Sequence, residues 1–233
     1  MLVVLATCSV IVAVGNGLSE NLFFFQRLLR ETSRLDELIV VDNGTTDGSG
    51  TYLKELPNRK LIRFPVEMGL TTAWNWGLRT ASGEAVAIVQ TGCVLPTDWL
   101  SNLLKLWHAK RKTGLIRSID RQTVLKYASV FGRYAEAVRG ISSGAFSSEA
   151  DLNQAYNGSF DTFATGLARR YGSQRIATSS AGCFLCSRDL IQEKGCFPEG
   201  SQATGAGAIE SFLQSIAENG GWARNTATVY THR

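Results

Sequence analysis

The chain has 233 residues, of which 44% are hydrophobic and 19% charged, a composition typical of an ordinary globular protein with a substantial core. Its formal charge of +4 is mildly basic, which is compatible with an anionic ligand, a membrane surface or nucleic acid and selects none of them. The sequence contains no internal repeat and no low-complexity tract, which excludes repeat architectures.

The N-terminal stretch MLVVLATCSVIVAVG has the apolar character of a secretion signal. No Lys or Arg precedes the apolar run, however, and the run is too short to span a bilayer. We therefore expect a buried first strand at Ser9–Val14, followed by a loop at Gly15–Gly17. No other stretch approaches transmembrane length, so any membrane contact is expected to be peripheral.

Strands and helices alternate through the first half of the chain. After the first strand, apolar runs predict further strands at Leu38–Val41, Leu61–Phe64 and Ala85–Val89. Helical spacing predicts helices at Leu22–Leu29, Thr51–Leu56 and Thr71–Ala81, and one from the Thr97 or Asp98 cap to about Lys112. This βαβαβαβα order favours a parallel sheet, because right-handed crossovers place successive strands side by side.

The second strand ends abruptly at Asp42-Asn43-Gly44, and Asp47-Gly48 opens a second turn. In open α/β sheets, ligands bind at the carboxyl ends of parallel strands, so Asp42 and Asn43 are candidate ligand contacts. The alternative is a turn without a ligand, because Asn-Gly and Asp-Gly are common turn formers.

Two glycine-rich phosphate-binding signatures are missing from the sequence. No G-x-G-x-x-G follows the first strand, and no G-x-x-x-x-G-K-[ST] is found anywhere. Their absence argues against a dinucleotide oxidoreductase and against a P-loop enzyme.

Trp74 and Trp76 lie on the third predicted helix and cannot share one helix face. At least one of them must therefore contact something other than the sheet. A platform for a sugar or base and an exposed aromatic packed under a loop are both compatible with this pattern.

The character of the sequence changes between residues 113 and 175. The apolar pattern weakens and basic residues become frequent, which predicts an inserted, partly helical region over the active edge. These residues either contact an anionic acceptor or form a solvated face. The basic residues of this region and of the two positions before it are Arg111, Lys112, Arg117, Arg121, Lys126, Arg133, Arg139, Arg169 and Arg170.

The last quarter of the chain returns to regular elements. It predicts a strand at Ser179–Ser187, helices at Arg188–Lys194 and Ala208–Asn219, and a final strand at Thr226–Thr231. A glycine-bearing loop, Gly200–Gly207, separates the two helices.

The cysteines are scattered among apolar neighbours, which is typical of reduced, mostly buried thiols in a cytoplasmic protein. Two of them form a C-x-x-C in an apolar strand-like run, a spacing found in redox pairs and in half zinc sites. No second C-x-x-C follows, and a spacing of three places the pair on opposite faces of a strand, so buried thiols are favoured over zinc. The five cysteines of the chain are Cys8, Cys93, Cys183, Cys186 and Cys196, and the C-x-x-C pair is Cys183 and Cys186.

Four stretches, in this order and spacing, resemble the nucleotide-sugar-dependent glycosyltransferases of family 2. They are SVIVAVGN, ELIVVDNGTTDGS, GLTTAWNWGLRTASGEAVAIV and AGCFLCSRDLI. The resemblance implies a single α/β domain with the GT-A (Rossmann-like) fold, a mixed, mainly parallel sheet flanked by helices. It also implies a nucleotide-sugar-binding half at residues 1–112, an inserted acceptor-side region at 113–175 and a return segment at 176–233.

The resemblance also assigns nucleotide-sugar contacts. Ala13 stands where the family has the Pro or Thr that ends the first strand, and Asp42 and Asn43 match the acidic pair that contacts base and ribose. A carboxylate or amide suits that role because base and ribose both offer hydrogen-bond donors. The full set before the fourth strand is Ala13, Val14, Asn16, Asp42, Asn43, Gly69 and Asn75.

Gln90-Thr91-Gly92 stands where the family has the aspartate motif that holds a divalent cation. Hard divalent ions prefer oxygen ligands with negative charge, and this degenerate motif has no carboxylate. We therefore expect Gln90, Thr91 and Gly92 to contact the donor without the usual metal ligands. Binding of Mn²⁺ or Mg²⁺ by other groups is the alternative.

The family's Glu-Asp pair falls on Ala208-Ile209, so the neighbouring Glu210 is the candidate catalytic base, with a surface helical Glu as the alternative. His232 matches a C-terminal His and is the phosphate-stabilising candidate. The resemblance implies inverting transfer from a nucleoside-diphosphate sugar to the hydroxyl of a glycan, a lipid-linked glycan, a protein or a modified nucleic acid. The alternative is an inactive, glycosyltransferase-like nucleotide-binding or scaffold protein.

Overall fold

The computed structural model describes residues 7–109, 115–142, 144–172, 182–194, 197 and 223–231. The strands are β1 (Cys8–Val14), β2 (Glu37–Asn43), β3 (Arg59–Phe64), β4 (Ala85–Gln90), β5 (Leu115–Asp120), β6 (Cys183–Ser187) and β7 (Ala223–Thr231). The helices are α1 (Leu18–Glu31), α2 (Ser49–Glu55), α3 (Leu70–Thr80), α4 (Trp99–Ala109), α5 (Arg121–Lys126), α6 (Ala128–Phe131), α7 (Arg133–Arg139), α8 (Glu149–Ala155), α9 (Phe160–Tyr171) and α10 (Arg188–Lys194).

The strands form one mixed sheet in the order β3-β2-β1-β4-β6-β5-β7. Within the group β1 to β4, all neighbouring strands are parallel. Strand β6 is antiparallel to both β4 and β5, whereas β7 is parallel to β5. The crossover helices make the first four strands parallel, so their carboxyl ends open on the same side. We call the side of the sheet where β1 to β4 end the carboxyl edge, and the side where they begin the amino edge.

Helices cover both faces of the sheet. On one face, side chains of β1, β2 and β4 pack against α1 and α4, and on the other they pack against α3. Helix α3 lies close to the sheet, since a Cβ added to Gly77 would lie 2.4 Å from Ile11 Cγ2. These close-packed faces fix the strand ends from which the polar loops emerge.

The prediction that Trp74 and Trp76 do not share one face of α3 is confirmed. Trp74 is fully buried and its ring meets those of Phe184 and Phe197, whereas Trp76 is 45% exposed. Trp76 packs edge-on against Phe64 at the end of β3. The alternation of buried and exposed positions along the helix explains the difference.

The predicted arrangement of the C-x-x-C pair is also confirmed. Cys183 belongs to the core beneath α1 and α4, while Cys186 belongs to the core beneath α3. Burial raises the pKa of the Cys186 thiol to about 12. All the cysteines that the structure describes are buried thiols, and no group of three His, Cys, Asp or Glu side chains in this part of the chain could hold a metal ion.

Strand β5 differs from the sequence-based expectation. We expected a partly helical region from residue 113, but Leu115–Asp120 is a strand that pairs with β6 and β7. The polar residues Arg117 and Ser118 weaken its apolar pattern, although both are buried. The helices of the inserted region therefore begin at Arg121, and the sheet continues to Asp120.

Helices α5 to α9 pack around a separate aromatic-rich core that also includes Phe23 of α1 and Tyr230 of β7. The hydroxyls of Tyr156 and Tyr230 lie 2.8 Å apart within it. This core attaches the inserted helices, residues 121–171, to the end of the sheet. No helix among the described residues is long and apolar enough to cross a membrane.

Candidate functional site

Two loops at the carboxyl edge are fastened to each other. Asn16 Oδ1 accepts a hydrogen bond from Thr46 N at 2.8 Å, and Asp47 Oδ2 accepts one from Gly17 N at 2.6 Å. The bond from Gly17 N lowers the pKa of Asp47 to about 2. Asn16 and Asp47 thus hold the β1–α1 and β2–α2 loops together as one wall of the edge.

Asp42 lies near the end of β2 and has no exposed surface. Its Oδ1 accepts a hydrogen bond from Thr45 N at 2.9 Å, which closes the turn. Its Oδ2 lies 3.3 Å from Arg63 Nε but makes no hydrogen bond with any residue that the structure describes. Thr45 Oγ1 is likewise buried without such a bond.

Gly50 provides the floor beneath these groups. A Cβ at Gly50 would lie 2.7 Å from Asp42 Oδ2, 3.0 Å from Thr45 Oγ1 and 3.4 Å from Arg63 Cζ. We call Asp42, Thr45, Gly50 and Arg63 the Asp42 cradle. An unsatisfied buried polar atom costs about 1–3 kcal/mol, so a ligand that donates a hydrogen bond to Thr45 Oγ1 would recover that free energy, whereas a ligand that donates to Asp42 Oδ2 would replace its ion pair with Arg63.

Access to the cradle depends on Arg63. Because Asp42 is enclosed, a ligand contacts Oδ2 only when a neighbouring side chain moves. The side chain of Arg63 is 49% exposed and carries the guanidinium next to Oδ2. A long, half-exposed side chain is the neighbour with the most rotational freedom.

Asn43 fixes the loop that follows β3. Its Oδ1 accepts a hydrogen bond from Met68 N at 2.9 Å. The adjacent Gly44 has φ 74°, and a Cβ there would lie 2.3 Å from the carbonyl carbon of Val66, so only glycine fits. The Asn43 amide nitrogen makes no hydrogen bond within the described part of the chain and is the group that remains for a ligand.

The end of β1 lies between the ends of β2 and β4. Ala13 pairs in register with Val41 on one side and with Gln90 on the other. Gln90 is buried, and its Oε1 makes no hydrogen bond with a described residue. Val14 is fully buried in the core beneath α1.

Thr91 and Gly92 continue from Gln90 and are partly buried. Gly92 has φ 84°, and a Cβ there would lie 3.3 Å from Ala145 Cβ, so the loop after α7 lies directly on this turn. Gln90 and Thr91 offer only a neutral amide oxygen and a hydroxyl oxygen. This donor set does not fit a divalent ion held by carboxylates.

Gly69 and Asn75 belong to α3 and the residue before it. Gly69 has φ 84° and allows the chain to turn into the helix. Asn75 is buried, donates to Phe197 O at 2.8 Å and accepts from Phe197 N at 2.9 Å. Its amide therefore holds the return segment against α3.

The remaining predicted site residues, Glu210 and His232, lie outside the described residues, as do Cys196 and the predicted elements Gly200–Gly207 and Ala208–Asn219. Of the basic residues of the inserted region, Arg117 is buried in β5, and Arg121 Nε donates to Val138 O at 3.1 Å. Several others are exposed: Lys126, Arg133, Arg139, Arg169 and Arg170.

Sequence reasoning missed Arg27, which is 2% exposed in the middle of α1. Its guanidinium donates to Leu95 O, Glu149 and Asp161, each at 2.7 Å. Asp161 also accepts from Thr97 N at 2.9 Å. Arg27 thereby ties α1 to the β4–α4 loop and to the inserted helices. The signal that could have found it is a cation on the apolar side of an amphipathic helix.

Residues 9–193 match the family model described as Glycosyl transferase family 2. The chain belongs to this family. The mixed sheet of seven described strands flanked by helices is the GT-A fold of glycosyltransferases, which confirms the predicted fold class.

One curated relative of this family 2 chain is the probable N-acetylgalactosaminyltransferase 7 of Caenorhabditis elegans, 27% identical over 197 residues. The match covers 78% of this chain and 31% of the relative. The chain therefore spans about a third of the length of the curated relative it matches.

Solved structures share the fold at low identity. A mannosyltransferase from Pyrobaculum calidifontis with GDP-Man and Mn²⁺ has a TM-score of 0.61 at 18% identity, covering 98% of this chain and 56% of that one. GalNAc-T7 with UDP, GalNAc and Mn²⁺ has a TM-score of 0.64 at 15% identity, covering 98% and 43%. TarS residues 1–349 from S. aureus with UDP has a TM-score of 0.61 at 14% identity, covering 97% and 60%.

Proposed function

We propose that this chain binds a nucleoside-diphosphate sugar at the carboxyl edge and transfers the sugar to an acceptor hydroxyl. The observation that carries the proposal is the Asp42 cradle, where a buried carboxylate oxygen and a buried hydroxyl have no hydrogen bond among the described residues. Family membership supports it, as do the names of the relatives and the nucleotides bound in the solved structures.

The proposed roles follow the order of the strands. The N–H and O–H donors of base and ribose bond to Asp42 Oδ2 once Arg63 moves aside, and the Asn43 amide nitrogen provides a donor beside them. The wall formed by Asn16 and Asp47 borders the nucleoside. The diphosphate and sugar then lie toward Gln90, Thr91 and Gly92 at the end of β4, two strands along the sheet from β2.

We propose that transfer does not depend on a metal held by the Gln90-Thr91-Gly92 turn, because these three side chains carry no charge. Charge on the departing diphosphate still requires stabilisation. Cationic groups and backbone N–H donors would supply it, and His232 is the candidate near the end of the chain. Mn²⁺ in the two manganese-bearing structures is a property of those proteins.

The proposed chemical step is a single displacement with inversion. Glu210 accepts the proton of the acceptor hydroxyl, whose oxygen forms a bond to the anomeric carbon. The bond from that carbon to the diphosphate oxygen breaks, and its electron pair leaves with the nucleoside diphosphate. The acceptor hydroxyl is a substrate, so atoms and charge balance without another reactant.

The test is calorimetry with UDP, GDP and dTDP, followed by turnover of their sugars with Mn²⁺ or with EDTA. We expect one nucleotide to bind, its sugar to be consumed in EDTA, a product of inverted anomeric configuration, and loss of turnover in Glu210→Gln. Failure of all three nucleotides to bind would contradict the proposal.

A second candidate function is nucleotide binding without transfer, as in a scaffold protein. The neutral Gln90-Thr91-Gly92 turn favours it, because the charge that normally stabilises the leaving diphosphate is missing there. Nucleotide binding without consumption of any sugar nucleotide, with or without Mn²⁺, would support this candidate over the enzyme.

A further inference from the structure

The Gln90-Thr91-Gly92 turn is closed by the residue that follows it. The Cys93 N–H donates to Gln90 O at 3.3 Å, and Gly92 has φ 84°, the conformation that a type II turn requires at its third position. On the incoming side, the Gln90 N–H donates to Gly182 O at 2.9 Å. The orientation of the turn therefore depends also on what holds the chain that leaves it.

The chain that leaves the turn is held by buried charged groups. Arg27 Nε donates to Leu95 O at 2.7 Å, and the Thr97 N–H donates to Asp161 Oδ1 at 2.9 Å. Arg27 Nη2 in turn lies 2.7 Å from both carboxylate oxygens of Asp161. The guanidinium thus fixes this chain directly at Leu95 and indirectly at Thr97.

The loop that lies against the turn leads to the same guanidinium. Ala145 Cβ would be 3.3 Å from a Cβ added to Gly92, so the two chain segments are in contact there. Leu95 follows Gly92 by three positions, and Glu149, which accepts from Arg27 Nη1 at 2.7 Å, follows Ala145 by four. Arg27 therefore joins both sides of this contact.

The Arg27 side chain has the geometry that this role requires. It is 2% exposed, all three of its nitrogens donate hydrogen bonds, and its guanidinium lies 5.0 Å from the ring centre of Phe160. A planar guanidinium fixes the directions of several partners at once, whereas a lysine ammonium does not. Buried ion networks also contribute little net stability compared with apolar packing of similar volume, so stability alone does not account for this one.

Arg30 offers a contrast on the same helix. Its guanidinium also binds Glu149, at 2.9 Å, and it binds Glu31 at 2.6 Å. Its side chain is 53% exposed, and no bond joins it to the β4–α4 loop among the described residues. The two arginines therefore share a partner, but Arg27 alone of the pair reaches the backbone beyond the turn.

We infer that Arg27 is a positioning residue for the sugar-diphosphate end of the donor site. It acts on the Gln90-Thr91-Gly92 turn through Leu95 and Asp161 and does not itself contact the ligand. The inference rests on the proposed function for the identity of that ligand. The Asp42 cradle lies on β2, two strands from β4, so the nucleoside end should not depend on Arg27.

The test compares ligands with and without the sugar-diphosphate end. The probes are UMP with UDP-N-acetylgalactosamine, and GMP with GDP-mannose, measured by calorimetry or, for weak ligands, by NMR titration. Arg27→Lys keeps the charge but cannot hold three partners. The triple variant Arg27→Met, Glu149→Gln and Asp161→Asn removes every charge of the network, Arg30→Lys is the control, and thermal melting checks folding.

We expect Arg27→Lys to raise the dissociation constant of the sugar nucleotide about tenfold and that of the monophosphate less than about twofold. The triple variant should show the same selective loss, because Leu95 O loses its donor there too. Arg30→Lys should change neither constant. Equal losses for both kinds of ligand, or no loss in Arg27→Lys, would overturn the inference.

Hydrogen exchange provides a second readout that needs no ligand. The Cys93 N–H closes the turn, whereas the Ala81 N–H, which donates to Gly77 O at 3.0 Å, ends α3 away from Arg27. We expect Arg27→Lys to speed exchange at Cys93 about tenfold and to leave Ala81 unchanged, while general destabilisation would speed both. Unchanged exchange at Cys93 would overturn the inference. If the wild type binds no probe, the proposed function fails, and the exchange rate still decides whether Arg27 holds the turn.

Discussion

Strand β2 carries a carboxylate at each end, and the two have different surroundings. At the amino edge, Glu37 accepts hydrogen bonds from the Ser9 hydroxyl, the Lys60 ammonium, and both the N–H and the hydroxyl of Ser82, the last two at 2.9 Å. At the carboxyl edge, Asp42 uses one oxygen in its turn and leaves the other without a hydrogen bond among the described residues.

The difference separates a structural carboxylate from a candidate binding carboxylate. Burial opposes ionisation of Glu37, but its hydrogen bonds outweigh burial and lower its pKa to about 2. Because the Glu37 side chain is ionised and hydrogen-bonded at both oxygens, it stabilises the junction of β1, β2 and the loop between α3 and β4. Asp42 Oδ2 has an ion pair with the half-exposed Arg63 but no hydrogen bond among the described residues, which is typical of a site that a ligand completes.

The largest expected effect is the loss of nucleotide affinity in the Asp42→Asn variant. The amide keeps an oxygen for Thr45 N but removes the negative charge facing the ligand. We expect the affinity for UDP or GDP to fall about 100-fold, which corresponds to about 2.7 kcal/mol, with little change in thermal stability. Calorimetry on this variant and on the matched Glu37→Gln variant checks it; an equal loss in both would contradict the distinction between the two ends.

Glu37→Gln should change stability instead of binding. Replacing the carboxylate weakens charge-assisted hydrogen bonds from Lys60, Ser9 and Ser82, so the free energy of unfolding should fall by about 1–3 kcal/mol. Urea denaturation measures this effect. The control is Glu55→Gln on the exposed side of α2, which should stay within about 0.5 kcal/mol of the wild type.

Gly50→Ala tests whether the cradle must stay open. Its methyl group would lie 2.7 Å from Asp42 Oδ2, so the carboxylate has to move from its position. We expect nucleotide affinity to fall about tenfold, as measured by calorimetry. Gly140→Ala is the control, since nothing lies within 4 Å of its added Cβ, and wild-type affinity in Gly50→Ala would show that the cradle is not the binding position.

The smallest expected effect is on the pH dependence of stability. The pKa of Glu37 is lower in the folded chain, about 2, than its ordinary value of 4.5, so the unfolded chain binds more protons between these values. The stabilisation is therefore complete above about pH 4.5 and is lost as the pH falls toward 2. Melting curves of wild type and Glu37→Gln should converge over this range; a constant difference would mean that the charge of Glu37 contributes nothing.

The regular half of the fold could be predicted from the sequence because its signals are local. Strands β1, β2 and β4 are buried on both faces and contain continuous apolar runs, and the turn at Asp42-Asn43-Gly44 marks the carboxyl edge directly. The opposite orientation of Cys183 and Cys186 followed from the two-residue period of a strand.

The features that sequence reasoning missed depend on distant partners. Strand β5 contains Arg117 and Ser118, and its identity as a strand becomes evident only through pairing with β6 and β7. Arg27 is buried because Glu149 and Asp161, more than a hundred residues away, neutralise it. The position of Arg27 on the apolar side of α1 is a local signal, but nothing local identifies Glu149 and Asp161 as its partners.

The place of the Asp42 cradle in the fold was predictable from the sequence, but its geometry was not. The sequence predicts Asp42 at a strand end, but no sequence pattern predicts that Gly50 and Thr45 enclose Asp42 Oδ2. Asn75 was expected to contact the donor, and its amide is engaged by the backbone of Phe197, a residue of the return segment. Both arrangements depend on how α2 and α3 dock on the sheet.

The most direct measurement is an NMR titration of the ¹⁵N-labelled chain with UDP and GDP in EDTA. If the nucleotide binds at the carboxyl edge, the amide signals of Asn16, Thr46 and Gly92 will shift on saturation. Those of Ser82 and Gly83 at the amino edge will stay in place. Shifts confined to the amino edge, or no shift with either nucleotide, would contradict nucleotide binding at the Asp42 cradle.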